Sequence, residues 1–129
     1  MPAAGHLFDR APDPRATARF LSDGRHHLFM VFVGAVAAGF VSGVEMTHPD
    51  KGTEMFLYEL AVDSAYRRRG FGTRLVDELA SLAQSRGCYG MWVLTDDSNT
   101  AALRTYERAG GRRNPAARML TWEWSGEGT

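Results

Sequence analysis

The segment from Arg67 to Thr73, RRRGFGT, combines basic residues with two glycines directly before a helical pattern. The first N–H groups of a helix are unpaired and carry partial positive charge. Gly70 and Gly72 allow unusual backbone angles and a close approach of the backbone to a ligand, and consecutive N–H groups in such a turn bind anions. Further positive charge and one more donor come from Arg67, Arg68, Arg69 and Thr73. The segment predicts a pyrophosphate site.

Two other interpretations of the arginines remain open at this point, a solvated charge run and a nucleic-acid patch. Fifteen basic and fifteen acidic residues give a formal net charge of zero. A general polyanion-binding domain is strongly basic, so the balance argues against nucleic acid as the partner. The phosphate-binding loop Gly-x-x-x-x-Gly-Lys-Ser/Thr is absent from the sequence.

Glu59 is an acidic residue within the apolar segment MFLYELAV. Strand alternation predicts that it shares a face with Leu57 and Ala61, away from Tyr58 and Leu60. A carboxylate on an apolar face is costly unless it is paired, either with an internal cation such as an arginine or with a cationic ligand. If the ligand is an amine, Glu59 is positioned to orient it and accept its proton, and partial burial raises its pKa toward the useful range.

Further acidic residues fall on segments that we expect to converge near the open end of the sheet. They are Glu45, Glu54, Asp96 and Asp97, which together with Glu59 form a predicted acidic rim. Such a rim suits a polycationic amine substrate. The histidines at 26, 27 and 48 lack companion ligands at metal-binding spacing, so we predict no metal site.

The elements that position these residues follow from periodicity and turn signals. We predict helices over 14–22, 69–85 and 99–109, and strands over 26–34, 35–46, 54–62, 88–94 and 118–124, with a loop over 47–53. The strand 88–94 reads as buried on both faces. A strand–helix–strand crossover between Met55 and Leu94 makes its two strands parallel. The result is a single α/β (α+β) domain over residues 1–129.

The cysteine content of this domain fits a reducing environment. Cys88 is the one cysteine, so an intramolecular disulfide is impossible. The first 20 residues lack the apolar core of a signal peptide, and no apolar run is long enough to span a membrane. We therefore expect a cytoplasmic protein without a membrane partner.

Two motifs resemble those of the GNAT superfamily of acetyl-CoA-dependent N-acetyltransferases. RRRGFG, from Arg67 to Gly72, matches the Arg/Gln-x-x-Gly-x-Gly/Ala motif, and NTAALRTYERAG, from Asn99 to Gly110, is similar to the second motif. The segment FLYELAVDSAYRRRGFGTRLV most resembles the aminoglycoside 3-N-acetyltransferase branch, in which an aspartate stands at the position of Glu59.

The resemblance implies a mixed, mostly antiparallel sheet flanked by helices, with acetyl-CoA as cosubstrate. It implies that the Arg67–Thr73 loop, including Phe71, holds the pyrophosphate of coenzyme A. The pantetheine arm would then pair with the backbone of Leu60, Ala61 and Val62, and the Val62 N–H would polarise the thioester carbonyl. The second motif implies contacts to the cosubstrate from Asn99, Ala102 and Tyr106.

For the reaction, the resemblance implies Glu59 as the base and Tyr106 as the acid that protonates the leaving thiolate. The predicted function is acetyl transfer to a primary amine by direct attack, with an aminoglycoside or similar polycation as the acceptor. Two alternatives stay open: a non-catalytic acetyl-CoA-binding sensor or partner subunit, and a transferase for another amine (a polyamine, an amino acid or a protein N-terminus).

The sequence departs from the family pattern at its N-terminal end. Domains of the family normally begin with a further strand and a longer helix, whereas only about 25 residues precede the first predicted strand here. This shortened N-terminus leaves a strand edge without its usual neighbour. An uncovered edge favours pairing with a second copy, so we expect a homodimer.

Overall fold

A computed structural model describes residues 2–124 of the chain. Its elements are a 3-10 helix (Pro2–Leu7), α1 (Pro14–Ser22), β1 (His26–Val33), β2 (Val36–His48), β3 (Gly52–Val62), a second 3-10 helix (Ser64–Tyr66), α2 (Phe71–Ser85), β4 (Met91–Trp92) and α3 (Thr100–Arg108). The order of helices and strands predicted for residues 14–109 is confirmed. In these residues no helix has the length and apolar character needed to cross a bilayer.

The four strands form one sheet in the order β1-β2-β3-β4. β1, β2 and β3 are antiparallel neighbours, and β4 pairs parallel to β3 through Met55–Met91 and Phe56–Trp92. The parallel pair confirms the crossover predicted from the strand–helix–strand pattern. The predicted loop over 47–53 is shorter than expected, because β2 continues to His48 and β3 begins at Gly52.

Two predicted strands differ in the structure. Within 88–94 only Met91–Trp92 forms a strand, and the prediction that it is buried on both faces is wrong, since Trp92 and Leu94 are exposed. Met91 and Val93 pack against the core cluster that α2 helps to form, whereas Trp92 and Leu94, which alternate with them, are exposed. The strand predicted over 118–124 is wrong as well, because no neighbouring strand supplies a hydrogen-bond ladder to it within residues 2–124.

α2 covers one face of the sheet and forms the larger part of the core. Its apolar positions, which recur at helical spacing, are Leu75, Val76, Leu79 and Ala83. Leu79 is fully buried, which stabilises the fold by about 1.5–3 kcal/mol. The helix sits close to β2 because Gly43 has no side chain: a Cβ there would lie 2.9 Å from a methyl carbon of Leu79.

The N-terminal segment covers the opposite face. Ala4 and Leu7 of the first 3-10 helix are buried against Ala37 and Phe40 of β2, and the ring of Phe8 stacks on Phe40 with centroids 4.4 Å apart. α1 follows, capped by a hydrogen bond of 3.1 Å from the Ala16 N–H to the Asp13 carboxylate. The segment over 1–13, which has no periodicity in the sequence, therefore contributes a second and smaller core.

Candidate active site

The Arg67–Thr73 loop connects the end of β3 to the start of α2 and has the backbone of an anion-binding turn. Gly70 is the N-cap of α2 with φ +81°, and no side chain caps the helix. The N–H groups of the first turn are therefore available to a ligand. Arg68 also has a positive φ, +64°, which is uncommon outside glycine and is characteristic of functional turns. A Cβ at position 70 would contact nothing within 4 Å, so space does not require a glycine here. The positive φ does, because other residues rarely adopt it.

Local contacts hold this loop against the end of β3. The Arg67 Nε donates to the Val62 carbonyl at 3.1 Å, and the Arg69 guanidinium lies 5.3 Å from the centre of the Tyr66 ring. The preceding turn is fixed by Asp63, which accepts a hydrogen bond of 2.9 Å from the Ala65 N–H. These contacts orient the backbone that the resemblance assigns to the pyrophosphate.

Gly72 has a packing role in addition to the one that its place in the motif implies. A Cβ at Gly72 would lie 3.1 Å from the Thr105 Cγ2 atom of α3. The missing side chain therefore allows α3 to pack against the first turn of α2. Close packing brings the second motif next to the first, so Gly72 acts on the site through helix packing.

The outer edge of β3 is open where the resemblance places the pantetheine arm. β4 pairs only with Met55 and Phe56, so beyond Phe56 this edge has no strand neighbour among the described residues. The Asp63 N–H donates to the Ala38 carbonyl on the β2 side at 2.8 Å. Because successive N–H groups alternate sides along a strand, the Val62 N–H points to the open edge. An extended chain placed there meets outward-facing backbone groups such as the Val62 N–H, so this structure fits the cosubstrate.

A β-bulge in β3 decides where Glu59 lies. Ser42 pairs with Glu59 while Gly43 pairs with Leu57, so Tyr58 is an extra residue without a partner on β2. Leu57 remains on the face covered by α2, whereas Ala61 packs on the N-terminal side. Glu59 lies on that N-terminal side with Ala61. The prediction that it shares a face with Leu57 is wrong, since simple alternation does not survive a bulge.

Glu59 and Tyr58 both line a pocket between the sheet and the N-terminal segment. The cavity has a volume of about 210 Å³ and is lined by Phe8, Pro12, Ala16, Thr17, Phe20, Leu28, Phe40, Ser42, Tyr58 and Glu59. Burial in these apolar surroundings raises the pKa of Glu59, and the nearby negative charge of Asp9 raises it further. The pocket thus contains one carboxylate that is disposed to accept a proton.

Glu45 lies elsewhere and is not brought into this pocket. Its carboxylate is 9% exposed and is bound by His27 Nε2 at 2.6 Å and by the guanidinium of Arg86. Arg86 directly follows α2, whose two ends are about 21 Å apart. Although burial raises the pKa of Glu45, the hydrogen bonds from His27 and Arg86 hold it below its usual value. Glu45 therefore stabilises the end of the sheet that is distant from the Arg67–Thr73 loop.

Asp96 and Asp97 also do not line the pocket. Both are exposed in the segment between β4 and α3, where the Asp96 carbonyl accepts a hydrogen bond of 3.0 Å from the Asn99 N–H. Of the acidic residues assigned to the substrate, only Glu59 lines the cavity. The converging acidic rim that the sequence predicts is not formed by these side chains.

The second motif lies on α3, with Tyr106 against the core. Asn99 is the N-cap of α3, and its side-chain oxygen accepts a hydrogen bond of 3.1 Å from the Ala102 N–H. Tyr106 packs on the core cluster between α2 and the sheet, and burial raises its pKa. Its hydroxyl therefore stays protonated at neutral pH. Glu59 and Tyr106 lie on opposite faces of the sheet, with the open edge of β3 between them.

Sequence reasoning missed most of the pocket wall. Phe8, Pro12, Ala16 and Phe20 come from the N-terminal segment and α1, which carry no recognisable motif. The one signal in the sequence is the helical spacing of Ala16 and Phe20, which predicts that one face of α1 is apolar. Nothing local indicates that this face would lie opposite Glu59.

Comparison with known proteins identifies the class. Residues 2–111 match the model of the acetyltransferase (GNAT) family, and the chain belongs to this family. It is accordingly an acetyl-CoA-dependent N-acetyltransferase, with acetyl-CoA as the acetyl donor. The motif-based predictions of family, fold and cosubstrate are confirmed.

Three known acetyltransferases are similar to this chain, one in sequence and two in fold. The chain is 32% identical over 114 residues to the [ribosomal protein bS18]-alanine N-acetyltransferase of Escherichia coli K12, covering 85% of this chain and 73% of the relative. A solved aminoglycoside acetyltransferase from an uncultured soil metagenomic sample, in complex with sisomicin, has a TM-score of 0.80 at 17% identity and covers 88% of this chain and 75% of that one. The aminoglycoside N-acetyltransferase AAC(6')-Iy in complex with CoA has a TM-score of 0.74 at 19% identity, covering 85% and 84%. At these identities the solved structures show a shared fold.

Proposed function

We propose that the enzyme acetylates a primary amine held in the Glu59 pocket, and that the amine is the N-terminus of a peptide or protein. The observation that carries the proposal is the position of Glu59. A single carboxylate of raised pKa lies in a pocket whose other walls are mainly apolar. This pocket suits one ammonium group attached to an apolar body.

The pocket has too few carboxylates to pair with the several ammonium groups of an aminoglycoside. An aminoglycoside carries several ammonium groups, each of which is costly to bury without a carboxylate partner. Glu45 is already bound by His27 and Arg86, and Asp96 and Asp97 lie outside the cavity, which leaves Glu59 with Asp9 at its margin. The α-amine of a peptide has a pKa of about 7.7–8.0, so a carboxylate of raised pKa can deprotonate it near neutral pH. The 32% identity to an enzyme named for a protein alanine acceptor supports the same choice.

The proposed mechanism uses residues on both faces of the sheet. Acetyl-CoA supplies an activated acetyl thioester when bound. The α2 N-terminal N–H groups and the loop arginines hold its pyrophosphate, and the Val62 N–H donates to the thioester oxygen. Glu59 takes a proton from the ammonium group, and the freed lone pair of the nitrogen forms the bond to the acetyl carbon. The carbon–sulfur bond breaks, and the departing sulfur takes a proton from the Tyr106 hydroxyl. The nitrogen releases its second proton to solvent, from which Tyr106 regains a proton.

Replacing Tyr106 by phenylalanine tests the acid. We expect kcat to fall about tenfold, less than is usual for general acid–base catalysis, because a thiol of pKa near 8.5 leaves readily as a thiolate. The binding of coenzyme A, measured by calorimetry, should be nearly unchanged, since the ring and its packing are retained. An unchanged kcat, or a loss confined to coenzyme A affinity, would remove Tyr106 from the acid role.

An acceptor panel tests the proposed substrate. Thiol release from acetyl-CoA should be measured with alanine-initiated peptides, the same peptides with a blocked N-terminus, alaninamide, spermidine and sisomicin. We expect turnover of the free peptides and alaninamide and none of the blocked peptides. Faster turnover of sisomicin than of every peptide would overturn the peptide assignment and restore the aminoglycoside one. No turnover of any amine would favour the non-catalytic sensor.

The proposal includes a homodimer, supported by a surface segment near the C-terminal end. Large apolar side chains are exposed there by 65–76% at Met119, Leu120, Trp122 and Trp124. Such a cluster of exposed apolar side chains favours contact with a second copy. Sedimentation velocity at micromolar concentration should give twice the monomer mass of 14.2 kDa. A monomer under these conditions would remove the dimer from the proposal.

A further inference from the structure

Three aromatic side chains form a continuous row that starts at the wall of the acceptor pocket. Tyr58 lines the pocket, and its ring meets Phe56 edge-on with centroids 5.8 Å apart. Phe56 in turn stacks on Trp92 of β4, with centroids 4.3 Å apart and planes inclined by 29°. The row therefore leads from the pocket across β3 to β4.

This row is open to solvent along the face that α2 leaves free. The exposed fraction is 68% for Tyr58 and 39% for Trp92. The principal contacts of α1 are with β1 and those of the first 3-10 helix are with β2, and among the described residues the rings of Tyr58 and Trp92 remain exposed. Exposed aromatic residues next to an active-site pocket are typical of a ligand-binding surface.

We propose that the aromatic row formed by Tyr58, Phe56 and Trp92 binds the polypeptide chain of the acceptor beyond its N-terminal residue. This inference rests on the proposed function and extends it. With the terminal amine at Glu59, the next residues leave the pocket past Tyr58. An extended peptide advances about 3.3 Å per residue, so the two ring-to-ring steps correspond to about three residues.

The chemistry of the row specifies the peptide that it prefers. The row carries no formal charge, so it favours apolar or aromatic side chains at the second and third acceptor positions. Glu54 is on the same strand two residues before Phe56, which places it on the same face by alternation. A basic residue farther along the acceptor would be favoured by this carboxylate.

The experiment compares a long and a short acceptor in matched variants. Trp92→Ala should lower kcat/KM for the peptide Ala-Leu-Phe-Lys-amide about tenfold, as expected when an aromatic contact is truncated at an interface. It should change kcat/KM for alaninamide by less than about twofold, because alaninamide in the pocket does not extend as far as Trp92. Trp92→Phe should recover most of the loss, since it restores a ring opposite Phe56. Phe32→Ala, which removes an exposed aromatic ring on β1 outside the pocket lining, is the control and should leave both acceptors unaffected.

The outcomes separate this inference from the proposed function. Equal losses with both acceptors, or no loss with either, would show that the row does not bind the acceptor chain. Turnover of alaninamide without a gain for the longer peptide would reject the row and leave the proposed function standing. No turnover of alaninamide or peptide by the unaltered enzyme would reject the proposed function itself. A change in molar mass of Trp92→Ala with unchanged peptide kinetics would assign the row to contact with a second copy.

Discussion

Glu59→Gln is expected to lower kcat/KM for a peptide amine at pH 7 by about 10²- to 10⁴-fold, the range usual for loss of a general base. Glutamine keeps the size and polarity of the side chain but does not accept the proton of the amine. Because the bulge places Glu59 in the pocket without a basic neighbour to lower its pKa, its carboxylate is suited to this transfer. Initial rates over a range of acceptor concentrations measure the effect.

The pH dependence gives the sharper test of the same change. As the pH rises above the pKa of the acceptor, the amine loses its proton to solvent, and the advantage of the natural enzyme over the variant should shrink. As the pH falls through the raised pKa of Glu59, the natural enzyme loses its base, and the advantage should shrink again. The ratio of the two rates should therefore be largest between these values. A ratio that is constant with pH would indicate that Glu59 binds the amine without taking its proton.

A matched carboxylate controls for nonspecific charge effects. Glu78 lies exposed on α2, with a distance of 3.9 Å from its carboxylate to Arg74 Nε. Glu78→Gln removes the same charge outside the pocket and should leave kcat/KM within about twofold, because exposed ion pairs contribute little. A similar loss in both variants would mean that overall charge, and not the position of Glu59, governs the rate.

Glu45→Gln is expected to lower the free energy of unfolding by about 3 kcal/mol, the lower end of the range for breaking a buried ion pair. The expected loss of stability lies at the lower end because the Arg86 side chain is 45% exposed, so water can hydrate its guanidinium once the carboxylate is removed. KM for the amine should be nearly unchanged, since Glu45 lies far from the pocket. Thermal or urea unfolding measures the first quantity and steady-state kinetics the second. A raised KM with unchanged stability would instead support the substrate-binding role predicted from the sequence.

The stability difference should also depend on pH. The pKa of Glu45 in the folded protein is held below its usual value, so its contribution to stability is fully present above the unfolded value of about 4.3. That contribution is lost as the pH falls from there through the folded pKa. The natural enzyme and Glu45→Gln should therefore differ most near neutral pH and converge in acid. Cys88→Ser, which changes a partly buried neighbour without removing this ion pair, should not show that convergence.

Local sequence patterns predicted the three helices, the first three strands and the identity of the cosubstrate. Short-range signals delimit α1 at its observed bounds, Pro14–Ser22. They are the Asp13 cap, Pro14 in the first turn and Gly24 after the end of the helix. The open backbone next to Gly70 is likewise a local property, since the positive φ and the uncapped helix involve consecutive residues. Such features depend on a few neighbouring residues, so a sequence window contains what is needed to predict them.

The surroundings of the acidic residues depend on long-range contacts, and local patterns did not predict them. Glu45 and Glu59 are both acidic residues on apolar strands, and sequence alone treats them alike. Their environments separate them: Glu45 meets Arg86, 41 residues away, while Glu59 meets the N-terminal segment. The bulge at Tyr58 arises from the pairing of β2 with β3, which alternation within one strand cannot reveal.

The sequence by itself predicted the class of enzyme, because each of the two motifs that resemble the family, Arg67–Gly72 and Asn99–Gly110, is contiguous along the chain. The tertiary structure alone decided which carboxylate lines the pocket and what surrounds it. Burial and ion pairing are properties of residues brought together from distant parts of the chain, and the pKa of a carboxylate follows from that environment. The same reason explains why the aromatic row of Tyr58, Phe56 and Trp92 became visible only once β4 was placed beside β3.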